Sequence, residues 1–270
     1  MTGAVDPWFV AIDIDGTMLS DYGVMNPWTA KEAQRLEQAG HFVTIATGRS
    51  VPMTLPVLAE LGVTPEFVVC ANGAITVRRE AADPTHYVRH AVELFNPTDI
   101  LNAIHESIPD ANYAVEDDEG VLRYIGWFPE AGVNASVIKV ESFEQLLTGE
   151  ATRVVVIAPT SREDYFTDVV STLGLHKVTY SIGYTSWLDI GPQGVNKATA
   201  LEKVREARGI PRNRVMAVGD GRNDIDMIEW AGEFGRGVAM GNAPEELRSV
   251  ATEVTLDEAE GGLPSVLATL

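Results

Sequence analysis

Three short apolar runs, FVAID, HFVTIAT and EFVVCA, alternate with helix-patterned segments in the amino-terminal part of the chain, and this rhythm constrains the fold more than any other feature. Each run is nearly continuous and rich in β-branched and aromatic residues, the composition of strands covered on both faces. Between the first two lies a helical pattern from Pro27 to Ala39, with Asn26 placed as an N-cap and proline at the first helical position. A second helical stretch, TLPVLAELG, separates the next two. Strand, helix, strand, helix, strand predicts a doubly wound, parallel, Rossmann-like α/β sheet.

The character changes near Asp83. Alternating segments such as ANYAVED and GVLRYIGW mix with helices over NPTDILNAIHESI and REDYFTDVVSTLG, which predicts an inserted α+β domain with its own one-sided sheet. After SWLDIGPQG the first rhythm resumes with NKATALEKVREARG, RVMAVGD, DIDMIEWAG, GVAM, PEELRSVA, EVT and LPSVLATL. The expected division is therefore a core of residues 1–82 and 188–270 around an insertion of residues 83–187. At 270 residues the chain is near the size, roughly 250–300 residues, at which a single core stops growing.

Composition limits the partners. With 39 acidic against 20 basic residues the formal charge is −19, and such a surface repels nucleic-acid backbones and anionic lipid. Neither is expected as a partner. A phosphorylated small molecule is repelled too, unless a bound cation and a few local bases reverse the field inside a site. MTGAVDPW has no signal-peptide pattern and no segment suggests a membrane span, so a cytoplasmic location is expected. The one cysteine, Cys70, lies in an apolar run and reads as a small core residue. Nothing in the pattern specifies an oligomeric state.

In open α/β sheets ligands bind beyond the carboxyl ends of the strands, and four predicted core strands or helix starts carry polar groups at that edge. Asp13 and Asp15 close the first strand in DIDGT, where their spacing can project both to one side and Gly16 permits a turn. A plain strand-to-turn transition is the alternative. A calcium loop fails, because Met18 and Val24 stand where the EF-hand needs glycine and glutamate. Thr47, in ATGRS, either offers a hydroxyl to an anion or caps a helix. Lys197 falls at a helix N-terminus, where the macrodipole disfavours a cation; a nearby anion or simple solvation would explain it. Asp220 closes another buried strand in GDGRNDIDM, with Asn223 and Asp224 after it; Asp224 can also be a first-turn acid. Two strand-end aspartates and a third carboxylate make an oxygen-rich pocket suited to Mg²⁺.

DIDGT, TGR, GVNKATAL and GDGRNDIDM, in that order and with a long insertion between the second and third, resemble the haloacid dehalogenase-like phosphatases, specifically the Cof-type sugar-phosphatase branch with a large α/β cap. The resemblance spans nearly the whole chain. It implies a two-step phosphoryl transfer in which Asp13 is the nucleophile and Asp15 protonates the leaving alcohol, then activates water. It implies that Thr47 and Lys197 hold the phosphoryl oxygens, with Gly48, Arg49, Asn72 and Asn223 around the bound group. Mg²⁺ is implied on Asp13, the Asp15 carbonyl and Asp220, with Asp224 binding or supporting it. Asn72 is equally a turn former before glycine, and Arg49 either meets substrate or pairs with a core carboxylate. The chain departs from the family's wording at Asn196 and Ala198, which flank the lysine, and at Arg248, where lysine is common. The insertion would then act as a cap over the site, with Arg123, Tyr124 and Trp127 as candidates to meet a small phosphorylated metabolite or simply to pack in a strand. Hinges are expected near Ala81–Pro84 and Thr185–Asp189.

Rival readings share parts of this chemistry. A phosphomutase of the same superfamily would return the phosphoryl group to sugar. A dehalogenase needs neither Mg²⁺ nor Asp15. A sugar-phosphate-binding protein without catalysis leaves Asp13, Asp15 and Asp220 together unexplained, and phosphoacceptor signalling domains are much shorter.

Overall fold

The computed structural model describes residues 6–128, 137–158, 178–182 and 187–270. The elements begin with β1 (Phe9–Ile12), α1 (Pro27–Gln38), β2 (Phe42–Ile45), α2 (Val51–Leu61), β3 (Phe67–Cys70), β4 (Ile75–Arg79) and β5 (Tyr87–Val92). Then come α3 (Thr98–Ser107), β6 (Asn112–Glu116), β7 (Leu122–Ile125), β8 (Val137–Lys139), β9 (Arg153–Ile157), β10 (Val178–Ile182) and β11 (Trp187–Pro192). The chain closes with α4 (Lys197–Ala207), β12 (Val215–Gly219), α5 (Ile225–Gly232), β13 (Arg236–Ala239), α6 (Glu245–Val250), β14 (Glu253–Val254) and α7 (Gly262–Leu267). These residues form two compact units, Met1–His90 with Asn196–Leu270, and Ala91–Val195.

The first unit is built on a five-stranded sheet in the order β14-β13-β12-β1-β2, parallel throughout. Every residue of β1 is buried, as its unbroken apolar run requires for a strand with helices on both faces. Phe9, Ala11, Leu201, Ala217, Met227 and Ile228 share one core cluster, so α4 and α5 pack on the strands they follow or precede. Asn26 caps α1 as expected: its side chain accepts the Trp28 N–H at 3.0 Å, with Pro27 in the first turn.

The run EFVVCA differs in its partner. It forms β3, but β3 meets β2 only through one parallel bridge, Ala46 with Val69, and pairs antiparallel with β4 in a three-stranded sheet completed by β5. The other links from β2 to β3 are the Thr47 N–H to the Val69 carbonyl (3.0 Å) and a side-chain bond, the Thr44 hydroxyl to the Phe67 carbonyl (2.6 Å), in place of a regular backbone ladder.

The second unit holds a six-stranded sheet in the order β10-β11-β9-β6-β7-β8, antiparallel except for β7 with β8. Leu101 and Ile104 of α3 pack with Tyr113, Val115, Val154 and Val156 on one face. The expectation of a one-sided sheet does not hold at β9. Val155 points to the opposite face and is buried there with Ala114, Leu122 and Phe128, which is why RVVVI reads as a run rather than an alternation. The helix expected over REDYFTDVVSTLG lies outside the described residues. No described helix is long and apolar enough to cross a membrane.

Candidate active site

Because the strands of the first sheet are parallel, the polar groups at their carboxyl ends fall on one edge. Asp13 follows β1 and continues its ladder, its N–H meeting the Val218 carbonyl at 3.0 Å. Asp220 follows β12, and Lys197 opens α4. The structure brings them together: the fully buried Lys197 ammonium donates to Asp13 Oδ1 at 2.7 Å and to Asp224 Oδ1 at 2.6 Å. Lys197 is thus no solvated surface lysine. A cation at a helix N-terminus is tolerated here because two carboxylates lie on it.

The remaining oxygens are also assigned. Asp224 Oδ2 accepts the backbone N–H groups of Asp220 (3.0 Å) and Gly221 (2.9 Å), which makes Asp224 a clamp on both the loop and the lysine. Asp220 Oδ1 accepts the Thr17 hydroxyl at 3.0 Å, and its Oδ2 accepts the Asn242 amide at 3.2 Å. The same amide reaches the Gly16 carbonyl at 3.0 Å. Gly16 has φ +74°, and a Cβ there would lie 2.1 Å from Asp220 Oδ2, so both its conformation and its neighbour require glycine. Thr17, the last residue of DIDGT, and Asn242 are site residues that the reading of the sequence does not pick out. Asn242 stands three residues past β13 in GNAP, beyond the same edge of the sheet that carries Asp13 and Asp220, which directly follow their strands.

Burial pushes the Asp13 carboxyl well above the usual carboxylate range, with the Asp224 charge adding to it and Lys197 opposing. Asp220 is pushed up to about 7 by burial and by Asp224, against the Thr17 hydrogen bond and Lys197. For Lys197, burial alone pulls the pKa down, but Asp13 and Asp224 outweigh it and raise it. The three carboxylates Asp13, Asp220 and Asp224 bring oxygens within 4.8 Å of one another. Against them Lys197 supplies one positive charge, which leaves two negative charges unbalanced among oxygen donors. That donor set fits a hard divalent cation such as Mg²⁺. Both Asp224 oxygens are committed to the Lys197 ammonium and two backbone N–H groups, whereas those of Asp220 accept from a neutral hydroxyl and a side-chain amide, partners that a cation can displace.

Asp15 sits beyond the end of β1, where strand alternation no longer sets its direction. Its side chain is 62% exposed and is gripped at two points by Arg49, through Nε at 2.8 Å and the terminal nitrogen at 2.5 Å. Arg49 therefore does pair with a carboxylate, though an exposed one rather than one in the core. The N-cap position falls to Ser50, whose side chain makes no capping hydrogen bond, and not to Thr47. The buried Thr47 hydroxyl instead accepts the Arg49 N–H at 3.1 Å, and the Thr47 carbonyl accepts the Asn72 N–H at 3.0 Å. Asn72 has left-handed backbone (φ 50°) and its side-chain oxygen accepts the Asn223 amide at 3.0 Å. Gly48 lies against it: a Cβ at Gly48 would come within 3.2 Å of the Asn72 amide. Asn72 is thus both a turn former and part of a chain linking Thr47 to Asn223. In the second unit, Arg123 donates to the Gln145 and Thr148 carbonyls at 3.0 and 2.8 Å, Tyr124 packs on Phe128, and Trp127 is exposed.

A parallel α/β sheet whose edge gathers three carboxylates, a threonine and a buried lysine forms an enzyme-like site that sets a carboxylate nucleophile beside a fixed cation. The family model for haloacid dehalogenase-like hydrolases matches residues 10–267. The chain belongs to that family, and it is a phosphoric monoester hydrolase. It is 27% identical to the 5-amino-6-(5-phospho-D-ribitylamino)uracil phosphatase YitU of Bacillus subtilis, over 97% of this chain and 96% of that one. It is 29% identical to the pyridoxal phosphate phosphatase YbhA of Escherichia coli, over 92% and 93%. Among solved structures, TM0651 from Thermotoga maritima superposes with a TM-score of 0.75 at 25% identity, covering 98% of this chain and 97% of that one.

Proposed function

We propose that the chain is a Mg²⁺-dependent phosphatase of small phosphorylated metabolites, sugar phosphates foremost, that works through an aspartyl-phosphate on Asp13. The observation that carries this reading is the buried strand-end carboxylate of Asp13 held at 2.7 Å by Lys197. One Asp13 oxygen is fixed by the ammonium, which aims the carboxylate; the other attacks phosphorus as the ester P–O bond breaks. Asp15, exposed at the edge, gives a proton to the leaving alcohol. It then takes one from a water that attacks the acyl phosphate, releasing inorganic phosphate and restoring Asp13. Thr47 and Lys197 hold the phosphoryl oxygens, and Arg49 orients Asp15. Mg²⁺ would be held by Asp13, Asp220 and the Asp15 carbonyl, and supplies charge neutralisation between the carboxylate and the phosphoryl group. Asp224, Thr17 and Asn242 keep those ligands in place.

The inserted unit, Ala91–Val195 where the sequence pattern suggests 83–187, acts in this reading as a cap that selects the leaving group, and the first unit as the catalytic core. The substrates for which the two relatives are named are both phosphate monoesters, which supports a panel that includes phosphorylated cofactors and their precursors beside sugar phosphates. The deciding experiment is phosphate release from such a panel with Mg²⁺ and with chelator, for the parent and for Asp13→Asn. Metal-dependent release that Asp13→Asn abolishes supports the proposal. Near-normal release by that variant removes Asp13 as nucleophile, and an isomerised product in place of phosphate points to a mutase.

A further inference from the structure

A cavity of about 330 Å³ opens in the first unit at the edge of the sheet opposite to the carboxylates. Phe9, Phe42 and Phe67, the first residues of β1, β2 and β3, line it, whereas Asp13 and Thr47 lie past the other ends of β1 and β2. Four strand residues separate the two edges, about 13 Å at ~3.3 Å per residue. A group bound here does not reach Asp13.

The three phenylalanines supply apolar wall, and polar side chains line the rest; of the two carboxylates among them, Glu37 already accepts the Thr64 N–H at 2.7 Å. The Arg208 guanidinium lies 4.0 Å from the Phe42 ring centroid, and its Nε is buried without a hydrogen-bond partner among the described residues. Glu66 is already held by two cations, Arg78 at 2.8 Å and Arg208. Arg79 lines the cavity, and its side chain makes no ion pair or hydrogen bond among the described residues, in a protein with an excess of carboxylates. His41 lines it as well: its Nδ1 accepts the Trp8 N–H at 3.0 Å, which places the proton of the neutral ring on Nε2 as a donor. Burial, with Arg35 and Arg214, lowers the His41 pKa and favours that neutral form.

We propose that this cavity is a second ligand site, for a flat organic anion of one or two rings carrying a carboxylate, with the ring between the phenylalanines and the anion on Arg79. Flat apolar walls with an unpaired guanidinium and a neutral donor match that chemistry. A cation would meet Arg79 and Arg208, and a sugar would leave three aromatic walls without apolar contact.

The test uses 2-naphthoate as the probe and follows the methyl resonances of Val43 and Val204, both of which line the cavity. Saturable shifts of these methyls are expected, unchanged in Asp13→Asn. Arg79→Gln is expected to weaken the probe by about tenfold or more, the loss of one charge-assisted hydrogen bond, with Arg79→Lys in between. The neutral 2-naphthamide is expected to bind as weakly to the parent as 2-naphthoate does to Arg79→Gln. Arg79 is partly exposed and unpaired, so its substitution leaves the fold intact. No saturable shift at the two methyls overturns the site, and equal affinity for the amide, or no effect of Arg79→Gln, overturns the anion.

Discussion

Lys197 and Asp224 meet at 2.6 Å with neither side chain exposed, and Asp224 uses its second oxygen to hold two backbone N–H groups of the loop that carries Asp220. One contact thereby ties the lysine to the carboxylate on the next strand end. Replacing Lys197 by Met strands Asp13 and Asp224 without their cation. Breaking such a buried pair costs about 3–5 kcal/mol, so denaturant unfolding of Lys197→Met is expected to show a loss of that order, with no detectable phosphate release. Asp224→Asn keeps the Asp13 contact and is expected to lose about 1–3 kcal/mol and only part of the activity. A Lys197→Met protein as stable as its parent would contradict the buried-pair account.

Asp15 tests the separation of chemistry from stability. Its carboxylate is 62% exposed and paired only at the surface, a contact that contributes about 0–1 kcal/mol. Asp15→Asn is expected to melt within about 4 °C of the parent. Turnover is expected to fall by at least about 100-fold, the general acid-base contribution, while binding of a phosphate analogue such as tungstate survives. Unfolding of this variant would instead make Asp15 a structural acid.

Much of this site is legible in the amino-acid sequence, because a carboxylate ending an apolar strand has few physical excuses. Asp13, Asp220 and the misplaced cation Lys197 each break a local rule, and the three violations resolve one another in space. Thr17, Asn242 and the Ser50 cap break no rule; hydroxyls and amides are ordinary near turns, so only their partners mark them. The strands are legible for the same reason as the acids, since unbroken apolar runs have few alternatives. Their partners are less so: β3 pairs antiparallel with β4 and meets β2 through one bridge and a Thr44 side-chain bond, and an apolar run does not state which neighbour takes its backbone groups. The burial of both faces of β9 is hidden because its alternating neighbours suggest one wet face.

Removal of divalent metal is expected to lower stability as well as activity. Three carboxylates against one ammonium leave excess negative charge in a buried site, so a cation that binds only the folded chain stabilises it by RT ln(1 + [L]/Kd), about 2.7 kcal/mol at a hundred times Kd. Thermal unfolding with saturating Mg²⁺ and with chelator should differ by about 5–10 °C. Asp220→Asn removes one ligand charge and is expected to abolish most of that difference. A chelator-insensitive melting temperature in the parent would argue that no cation occupies the cluster.

Glu202 predicts an acid limit remote from the catalytic groups. Its carboxylate receives Arg205 at 2.8 Å, the Trp230 indole at 2.9 Å and Arg212 at 3.1 Å, and these bonds, Arg205 first, hold its pKa down to about 2. A carboxyl whose pKa is lower folded than unfolded contributes stability above the unfolded value, near 4.5, and loses it as the pH falls toward the folded value near 2. Its side chain is 31% exposed, and solvent screening limits the effect to about 1 kcal/mol, or ~2–4 °C. Glu202→Gln is therefore expected to melt that much below the parent at pH 7, with the gap closing between pH 4.5 and 2. The melting curves of the two proteins across that range check the sign: a gap that widens toward acid would contradict a lowered Glu202 pKa in the folded chain.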